Sequence, residues 1–508
     1  QTFFYIFFKY FLKIITYACL FFFNYLKRLS MFDIFIIGGG INGSGVARDS
    51  AGRGYKVGLA EQFDFGSQTS SWSTKLIHGG IRYLENYEFK LVRESLKERE
   101  IIFHIAKNIS KPLNFVLPHV TSLRPSWFIQ IGLKFYDFLS GKTKLPKSRK
   151  INLDQLGDFI TNEFKYGYQY SDLQIDDSRL TLLNLIDAQN QGAEILNYTK
   201  VERVQKLNDC WEIKLSNGET LHSKILINAS GPMILESFKN VIEETSNFEI
   251  KLVQGSHIVT TKLYDGSHAY VLQQSDRRIV FIIPYLENYS LIGTTELEID
   301  SPYNPQITPE EEIYLLDCVN NFSKNKIKKN DILWKYAGVR PLISEKNKSA
   351  RQNTRDYYLD INLKEKSLIN IFGGKLTTFR KLSEKLVDEI DNFYNKKIYH
   401  WTHNKVLPGN EGFLPLSDSR LDNETLNRIT KTYGGLGKEV LKYLDIINGK
   451  GIKICETLYE FEIRYLVDKE FVKNAEDILF RRTKIGIKFN TQEIHNTINQ
   501  IISKIISN

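Results

Sequence analysis

The spacing of apolar residues changes along the chain, and each pattern predicts a different kind of element. Residues 32–37 (Phe-Asp-Ile-Phe-Ile-Ile) form a short, nearly continuous apolar run that ends in glycines, as a buried parallel strand does. A helical pattern follows from about Gly43 to Ala51, and residues 54–61 predict a second strand. Strand, helix and strand in this order predict a βαβ unit.

Later segments predict strands first and helices afterwards. Residues 88–108 have the pattern of a charged amphipathic helix, residues 176–191 that of another helix, and residues 308–322 that of a third. Residues 192–227 and 250–297 alternate as strands do, and residues 141–150, with five basic residues and one proline, predict an exposed loop. Beyond about residue 401 the pattern is almost wholly helical, and the last helix carries Ile494, Ile498, Ile501 and Ile505 on one face.

The first 30 residues do not fit the pattern of the rest. They begin with Gln, and they consist mostly of Phe, Tyr, Leu, Ile and Lys. Lys9 and Lys13 interrupt the apolar run that a membrane-spanning helix would need, and no small-residue cleavage site follows it. Three interpretations stay open: upstream DNA translated ahead of a start at Met31, a membrane anchor, or part of a signal.

Composition excludes several classes of protein. A chain of 508 residues with 42% hydrophobic and 25% charged residues is typical of a globular protein with two or three domains. Its four cysteines are scattered without a C-x-x-C pair, which argues against a disulfide framework or a zinc site. The net charge of +9 suits an anionic substrate or lipid surface, and we expect no nucleic-acid partner.

The glycines after the first strand predict a nucleotide site. In Gly38-x-Gly40-x-x-Gly43, the first glycine makes the turn, the second admits a pyrophosphate and the third lets strand and helix pack closely. The helix N-terminus then faces the phosphates. Glu61 stands at the end of the second strand, where a carboxylate hydrogen-bonds the ribose hydroxyls.

A second glycine pair, Gly373-Gly374, favours FAD over NAD as the cofactor. An NAD enzyme usually closes its nucleotide fold in one uninterrupted domain, whereas this pair comes late in the chain and precedes Lys375 and a helical segment. A helix that begins there would direct its N-terminus at a flavin ring and stabilise negative charge on it.

Six segments in order resemble the FAD-dependent, respiratory glycerol-3-phosphate dehydrogenase family. They are residues 36–43, 73–84, 254–258, 338–342, 354–356 and 372–378, and residues 465–468 and 481–484 also fit the pattern. The chain departs from it at Trp72, where a small residue is usual, and conservatively at Thr74, Ser230 and Glu296. The family pattern does not cover residues 1–30.

The resemblance implies an α/β fold with three parts. A Rossmann-like FAD-binding domain spans residues 31–400, and an antiparallel-sheet substrate domain is interleaved with it, as in amino-acid oxidases, at roughly residues 111–165 and 250–338. An all-helical domain spans residues 401–508. The implied reaction is oxidation of sn-glycerol 3-phosphate to dihydroxyacetone phosphate, with electrons passed from FAD to membrane quinone on the cytoplasmic side of the inner membrane. Whether the chain forms a homodimer stays open.

The residues expected to hold FAD share glycine, hydroxyl or backbone chemistry in the matching segments. They are Gly38, Gly40, Asn42, Gly43, Glu61, Thr69, Ser70, Ser71, Ser73, Lys75, Leu76, Gly231, Gly373, Gly374, Leu376 and Thr377.

A phosphorylated substrate needs cationic side chains and a base. Arginine offers a two-donor fork to phosphate, and the candidates for substrate binding are Arg82, Tyr83, Arg340, Arg355 and Lys375. A histidine is the natural acceptor for the hydroxyl proton. Between the two candidates we favour His257 as the base and expect His78 nearer the substrate or the flavin.

Alternatives to this function and to membrane attachment stay open. Residues 124–144 combine aromatic residues with a basic end, which predicts an interfacial helix, although a core helix with a basic loop gives the same pattern. A related FAD oxidase of a small anionic substrate would return electrons to oxygen instead. A flavin-bearing RNA-modifying protein and a non-catalytic flavoprotein are weaker alternatives, because no catalytic cysteine pair is present and the Arg and His candidates are intact.

Overall fold

The computed structural model describes residues 31–243, 248–276, 278–345, 357–411 and 415–507. The N-terminal extension and Arg355, with its motif at residues 354–356, lie outside the described residues. The strands are β1 (Phe32–Ile37), β2 (Val57–Ala60), β3 (Leu76–Ile77), β4 (Ser110–Pro118), β5 (Arg149–Asn152), β6 (Tyr166–Ile175), β7 (Glu194–Leu196), β8 (Val201–Lys206), β9 (Trp211–Leu215), β10 (Thr220–Asn228), β11 (Phe248–Thr261), β12 (Ala269–Gln273), β13 (Ile279–Tyr285), β14 (Tyr289–Gly293), β15 (Leu297–Ile299), β16 (Ile332–Glu345), β17 (Tyr358–Asn362) and β18 (Leu368–Phe372).

The α-helices are α1 (Ile41–Gly52), α2 (Phe89–Ile105), α3 (Ser126–Ser140), α4 (Asp177–Asn190), α5 (Ile234–Ser237), α6 (Pro309–Asn320), α7 (Phe379–Phe393), α8 (Asn423–Tyr433), α9 (Gly437–Ile446), α10 (Glu460–Lys469) and α11 (Gln492–Ser507). The predicted βαβ unit, the helix over residues 308–322 and the helical C-terminal region are confirmed. The prediction of a loop over residues 141–150 is wrong at its end, because β5 begins at Arg149 and pairs with β6. No helix of the described residues is long and apolar enough to cross a membrane.

The first sheet has a parallel centre in the order β18-β10-β1-β2-β7, and β17 and β9 join it antiparallel. Strand β1 is buried on both faces. Ile34 and Ile36 pack with residues of α1, α4 and α7, while Phe35 and Ile37 pack with residues of the β8–β9 hairpin. This burial explains the continuous apolar run of the sequence.

The second sheet is mostly antiparallel and follows the order β15-β11-β14-β13-β12-β4-β6-β3, with β16 paired to β11 and β5 to β6. In the β11–β16 register, His257 lies opposite Tyr336, and Val253 lies opposite Arg340. On its other edge His257 lies opposite Gly293 of β14. The register therefore sets two predicted site residues, His257 and Arg340, on adjacent long strands.

Helices α8 to α11 form the C-terminal domain around their own apolar core. Ile498 and Ile501 of α11 are buried in it, and Ile494 and Ile505 pack against it, which confirms the predicted face. The α/β fold with an interleaved antiparallel sheet and a helical C-terminal domain is confirmed.

A buried ion cluster joins the C-terminal domain to the loop after β2. The Asp64 carboxylate accepts hydrogen bonds from Arg481 Nε at 2.5 Å and from Arg482 Nη1 and Nη2 at 2.6 and 2.8 Å. Burial alone would raise the pKa of Asp64, but the two guanidinium groups outweigh it and hold the pKa below 3.8. A carboxyl whose pKa is lowered on folding stabilises the fold above its unfolded pKa, and this contribution is lost only in acid, as the pH falls through the folded value.

Removing the Asp64 charge is expected to destabilise the protein strongly. Asp64→Asn removes the carboxylate that the two buried guanidinium groups share, so that Arg481 keeps only Asp477 and Arg482 loses its close carboxylate partner. Removing one partner of a buried ion pair costs about 3–5 kcal/mol. The measurement is the free energy of unfolding in urea at neutral pH. The control is Asp158→Asn, which removes an exposed carboxylate paired with Lys324 and is expected to cost under about 1 kcal/mol. Equal stability of the two variants would contradict the role of the cluster.

Candidate active site

The loop after β1 has the shape that a pyrophosphate requires. Gly38 has a φ of +106°, and a Cβ there would lie 2.6 Å from the Ala229 carbonyl oxygen. A Cβ on Gly43 would lie 2.0 Å from the Gly38 carbonyl oxygen. Both positions therefore admit only glycine. Helix α1 begins at Ile41 with Gly40 as its N-cap, and Gly43 lies in its first turn. Backbone N–H groups at this helix end are placed for an anion.

Two polar side chains hold this loop. Glu61 accepts hydrogen bonds from the Gly39 N–H at 2.7 Å and from the Phe63 N–H at 3.0 Å, and Ser70 Oγ accepts one from the Ile41 N–H at 2.9 Å. Burial raises the pKa of the Glu61 carboxyl, and these N–H groups offset part of the rise. Glu61 thus stands at the end of β2, as its proposed contact with a ribose requires.

The late glycine pair meets the early loop in space. Asn42 Nδ2 donates a hydrogen bond to the Gly373 carbonyl at 2.9 Å, and Gly374 (φ +103°) is so close to Asn42 that a Cβ there would lie 2.9 Å from Nδ2. Asn42 Oδ1 is buried and has no hydrogen-bond partner within the described segments. Asn42 thus joins the early loop to the late glycine pair, and we call the two segments together the cradle.

A cavity of about 860 Å³ lies beside this cradle. The predicted site residues on its wall are Thr69, Ser70, Ser73, Leu76, His78, Arg82, Tyr83, Arg340, Gly373, Gly374, Lys375, Leu376 and Thr377. The structure thus brings together three segments that are far apart in the sequence. The rest of the wall is largely apolar and comes from α3 and the second sheet, including Leu133, Phe115 and Phe281.

Lys375 supplies a positive charge without an anionic partner. Its Nζ is buried and has no hydrogen-bond partner among the described residues. The ammonium lies 4.1 Å from the centroid of the Tyr83 ring, which gives a cation–π contact but no counter-charge. An unpaired buried ammonium is costly, so this geometry favours a bound anion beside Lys375.

Arg340 and Arg82 extend the positive surface of the cavity. Arg340 Nη2 donates a long hydrogen bond, 3.4 Å, to Thr294 Oγ1, and its guanidinium lies so close to Gly255 that a Cβ there would be 2.9 Å from Nη2. Arg82 also lies on the cavity wall. Lys375, Arg340 and Arg82 therefore line one cavity, and Arg124, Arg278 and the carboxylates of Glu85, Asp172, Glu296 and Glu298 line it as well. Guanidinium and ammonium groups are the partners that a phosphate dianion needs.

The two histidines differ in access to the cavity. His78 lies on its wall, whereas His257 is fully buried. Among the residues that the structure describes, the His257 side chain has one hydrogen-bond contact, between its Nε2 and Thr74 Oγ1 at 3.0 Å. Burial lowers the pKa of His78, with Asp172 opposing and Lys375 and Arg340 adding to the fall. Burial and the charges of Arg340 and Lys75 hold the pKa of His257 well below its usual value. Both rings are therefore neutral at neutral pH.

Among the residues predicted to hold FAD, Lys75 and Ser71 do not line this cavity, and neither do Gly38, Gly40, Asn42, Gly43 and Glu61. Lys75 Nζ donates hydrogen bonds to the Ser71 carbonyl and to Asp177 Oδ1, both at 2.8 Å, and Ser73 Oγ donates to Asp177 Oδ2. The Lys75 ammonium is neutralised in this buried ion pair, so its side chain braces the loop instead of facing a ligand. Gly231, at φ +58°, also lies away from the cavity wall.

Trp72, which the family pattern left unexplained, belongs to an aromatic cluster. Its ring lies 5.8 Å from that of Trp334 and 5.2 Å from that of Tyr336, and its Nε1 donates a hydrogen bond to the Ser67 carbonyl at 2.6 Å. Gly338 provides the space, because a Cβ there would lie 2.7 Å from the Trp72 carbonyl oxygen. Trp72 thus packs on two aromatic rings of β16 and also lines the cavity.

Thr74 and Asp172 are among the polar residues of the cavity wall that were not predicted as site residues. Thr74 stands between His257 and the cavity, and Asp172 accepts hydrogen bonds from Tyr136 and Arg99. The Gly79 N–H, next to His78, contacts Tyr136 Oη at 2.9 Å. The one signal for Asp172 in the sequence is its place in β6, since an aspartate in a strand that is buried almost throughout is unusual.

Two family models match the chain. The description of the first is FAD dependent oxidoreductase, and it matches residues 33–380; the second describes the C-terminal domain of alpha-glycerophosphate oxidase and matches residues 369–506. A glycerol-3-phosphate dehydrogenase of Pseudomonas aeruginosa is 41% identical over 476 residues, covering 90% of this chain and 92% of the relative.

The chain belongs to the FAD-dependent glycerol-3-phosphate dehydrogenase family. A D-erythritol 1-phosphate dehydrogenase of Brucella abortus is 40% identical and covers 89% of this chain and 94% of its own length. The structure of the glycerol-3-phosphate dehydrogenase from Bacillus halodurans in complex with FAD aligns with a TM-score of 0.70 and 25% identity, covering 94% of this chain and 95% of that one.

The cofactor of this dehydrogenase family member is FAD, and the chain is an oxidoreductase. The residues present fit that group, because the cradle at Gly38, Gly43 and Gly374 has space only for glycine and opens at a helix N-terminus. The resemblance seen in the sequence is therefore confirmed.

Proposed function

We propose that the protein oxidises sn-glycerol 3-phosphate to dihydroxyacetone phosphate by hydride transfer to FAD, and that the electrons pass to a membrane quinone. The observation that carries the substrate class is Lys375, whose buried ammonium faces the cavity without a hydrogen-bond partner in the described structure. The names of the relatives support a polyol phosphate of three or four carbons.

The phosphate binds to the cationic end of the cavity in this proposal. Lys375 and Arg340 approach it from two sides, and Arg82 and Tyr83 complete the surface. Arg355 is proposed as a further phosphate ligand and lies outside the described residues. Fixing the phosphate fixes the position of C2, and orientation of this kind accounts for much of the catalytic effect in hydride transfer.

In this proposal the neutral histidines accept the proton that the C2 hydroxyl loses. His78 lies on the cavity wall and has Asp172 nearby to stabilise a positive charge. His257 is reached through Thr74. Either ring accepts a proton from the C2 hydroxyl without first losing one of its own.

Bound FAD supplies the hydride acceptor of the reaction. We propose that the early loop, Glu61, Ser70 and the backbone around residues 373–377 hold it. Lys75 and Ser71 contribute indirectly in this proposal, since the ion pair with Asp177 keeps the loop in place.

The proposed electron acceptor requires contact with a bilayer, and α3 provides an apolar face. Trp127, Ile131 and Phe138 are 63%, 60% and 76% exposed. Their spacing of four and seven residues sets all three on one side of the helix. The exposed Lys142, Lys144 and Lys147 follow the helix, as suits an anionic lipid surface. We propose that this face attaches the protein to the cytoplasmic side of the inner membrane.

Charged residues on this face are expected to release the protein from membranes. Ile131→Asp/Phe138→Asp places two carboxylates where apolar side chains would enter the lipid, so binding to vesicles with anionic lipids falls at least about tenfold. The measurement is co-sedimentation with such vesicles. The control is Ile446→Asp, which changes an isoleucine of similar exposure, 66%, at the end of α9. Equal losses in both variants, or none in either, would contradict this face as the attachment site.

The decisive test of the activity is anaerobic. Adding sn-glycerol 3-phosphate to the purified holoenzyme should bleach the visible flavin band, and a quinone analogue should restore it. If D-erythritol 1-phosphate bleaches the flavin and sn-glycerol 3-phosphate does not, the substrate is D-erythritol 1-phosphate instead. No bleaching by either compound would refute a polyol phosphate as substrate.

The oxidase alternative is separated by the second half-reaction. If electrons return to oxygen, reoxidation in air produces hydrogen peroxide at the rate of turnover. If quinone is the acceptor, the quinone analogue reoxidises the flavin much faster than air does. Fast peroxide formation with slow quinone reduction would overturn the dehydrogenase assignment.

A further inference from the structure

The ring of His257 is locked in place and has one polar contact toward the cavity. It is 0% exposed and stacks on Tyr336, with ring centroids 4.8 Å apart and planes 17° apart. On another side it touches Gly293, where a Cβ would lie 2.1 Å from Cδ2. The ring therefore cannot swing into the cavity without moving two neighbouring strands. Its Nε2 lies 3.0 Å from Thr74 Oγ1.

Thr74 is held on both sides while it faces the cavity. Ser73 Oγ donates a hydrogen bond to Asp177 at 2.7 Å, and the Ser73 carbonyl accepts one from Tyr336 Oη at 2.8 Å. The Lys75 ammonium is paired with the same Asp177. The residues before and after Thr74 are thus anchored to the buried start of α4, and Thr74 itself lies on the cavity wall.

We propose that the Thr74 hydroxyl relays the substrate proton to His257. This inference rests on the proposed function and deepens it. The C2 hydroxyl gives its proton to Thr74 Oγ1, and Thr74 gives its own hydroxyl proton to His257 Nε2. As the C2–H bond gives up its electron pair as a hydride, the C2–O bond becomes a carbonyl. One proton and one hydride leave the substrate, and Thr74 is unchanged.

The surroundings of His257 suit a transient acceptor. The ring is neutral at rest, because burial and the nearby Arg340 and Lys75 lower the pKa of His257. In the tautomer that carries its proton on Nδ1, the Nε2 lone pair accepts a hydrogen bond from Thr74 Oγ1. Its Nδ1 is buried without a hydrogen-bond partner within the described part of the chain, which leaves Thr74 as the polar contact of the ring. The same cations drive the proton back out through Thr74 once the product has left.

The test compares two substitutions at Thr74 in the holoenzyme. Thr74→Val keeps the shape and removes the hydroxyl, and Thr74→Ser keeps the hydroxyl. By anaerobic stopped flow with glycerol 3-phosphate, flavin reduction should slow about 10²-fold in Thr74→Val and under about threefold in Thr74→Ser, as expected when a proton-transfer group is lost. The substrate concentration at half-maximal rate should stay nearly constant, because the phosphate contacts are untouched.

Coupling to His257 separates a relay from a purely structural role. His257→Gln should slow reduction as much as Thr74→Val does, and the double variant should be no slower than either single one, since both changes interrupt the same path. Additive losses would contradict the relay. The thermal midpoint and FAD content of each variant are measured alongside, and a loss of rate that only follows a loss of FAD would count against it too.

A measurement on the unmodified protein keeps the relay testable if Thr74→Val does not fold. Flavin reduction in mixtures of H₂O and D₂O should follow a curved dependence on deuterium content, because two protons move together. A straight line would mean that a single proton moves in the rate-limiting step. It would overturn the relay in favour of direct transfer to His78. Failure of glycerol 3-phosphate to bleach the wild-type flavin contradicts the proposed function, whereas normal bleaching with an unchanged Thr74→Val contradicts the relay alone.

Discussion

Replacing Lys375 by methionine is expected to lower kcat/KM for glycerol 3-phosphate by about 10²–10³-fold, because truncating one partner of a buried, hydrogen-bonded charge pair costs about 2–5 kcal/mol. The variant keeps most of the side-chain volume and loses the ammonium whose Nζ is buried without a hydrogen-bond partner in the described structure. KM should rise and kcat should fall, since the bound phosphate also orients C2 of the substrate. FAD content should not change.

The control for this prediction is Lys364→Met, which removes an exposed ammonium in the loop before β18. It should leave kcat/KM within about twofold, since an isolated surface charge contributes little. Steady-state assays with a quinone analogue give both constants, and flavin absorbance of the purified protein gives the FAD content. Wild-type kinetics in Lys375→Met would remove the observation on which the phosphate assignment rests.

The sequence predicted best what depends on neighbouring residues. The glycine spacing after β1 identified the turn and the helix start, because the positive φ of Gly38 is a local property and the steric demand at Gly43 comes from the Gly38 carbonyl oxygen, five residues earlier. The face of α11 followed from helical periodicity for the same reason. The meeting of Asn42 with Gly373 could be predicted only as part of a family resemblance, since no local rule joins positions so far apart.

What the sequence could not predict is which side chain faces the cavity. Both histidines lie among small and hydroxylated residues, yet the pairing of β11 with β14 and β16 buries His257, whereas His78 precedes the loop at Gly79 and Gly80 and faces the cavity. The sequence predicted Lys75 as a contact of FAD, and in the structure its ammonium forms an ion pair with Asp177 at the start of α4. Both outcomes depend on partners tens to about a hundred residues away, which composition and spacing do not reveal.

Gly43→Ala is expected to abolish stable FAD binding and with it all turnover. A Cβ at this position would lie 2.0 Å from the Gly38 carbonyl oxygen, so the loop and the start of α1 must move apart. Overpacking alone costs about 1–3 kcal/mol, and here the displaced groups are the backbone N–H donors that face the pyrophosphate. We expect at least about a 100-fold weaker affinity for FAD, which corresponds to about 3 kcal/mol.

The same substitution at a glycine with free space around it should leave the affinity for FAD unchanged, and this provides the control. Gly132→Ala introduces a Cβ into α3 on the wall of the cavity, where it meets nothing within 4 Å. Alanine is also more favourable than glycine in a helix interior. Flavin absorbance of the purified proteins and titration of FAD into apoprotein measure the difference. If Gly43→Ala binds FAD as tightly as Gly132→Ala, the loop does not approach the pyrophosphate closely, and the late glycine pair, Gly373 and Gly374, would have to hold the cofactor by itself.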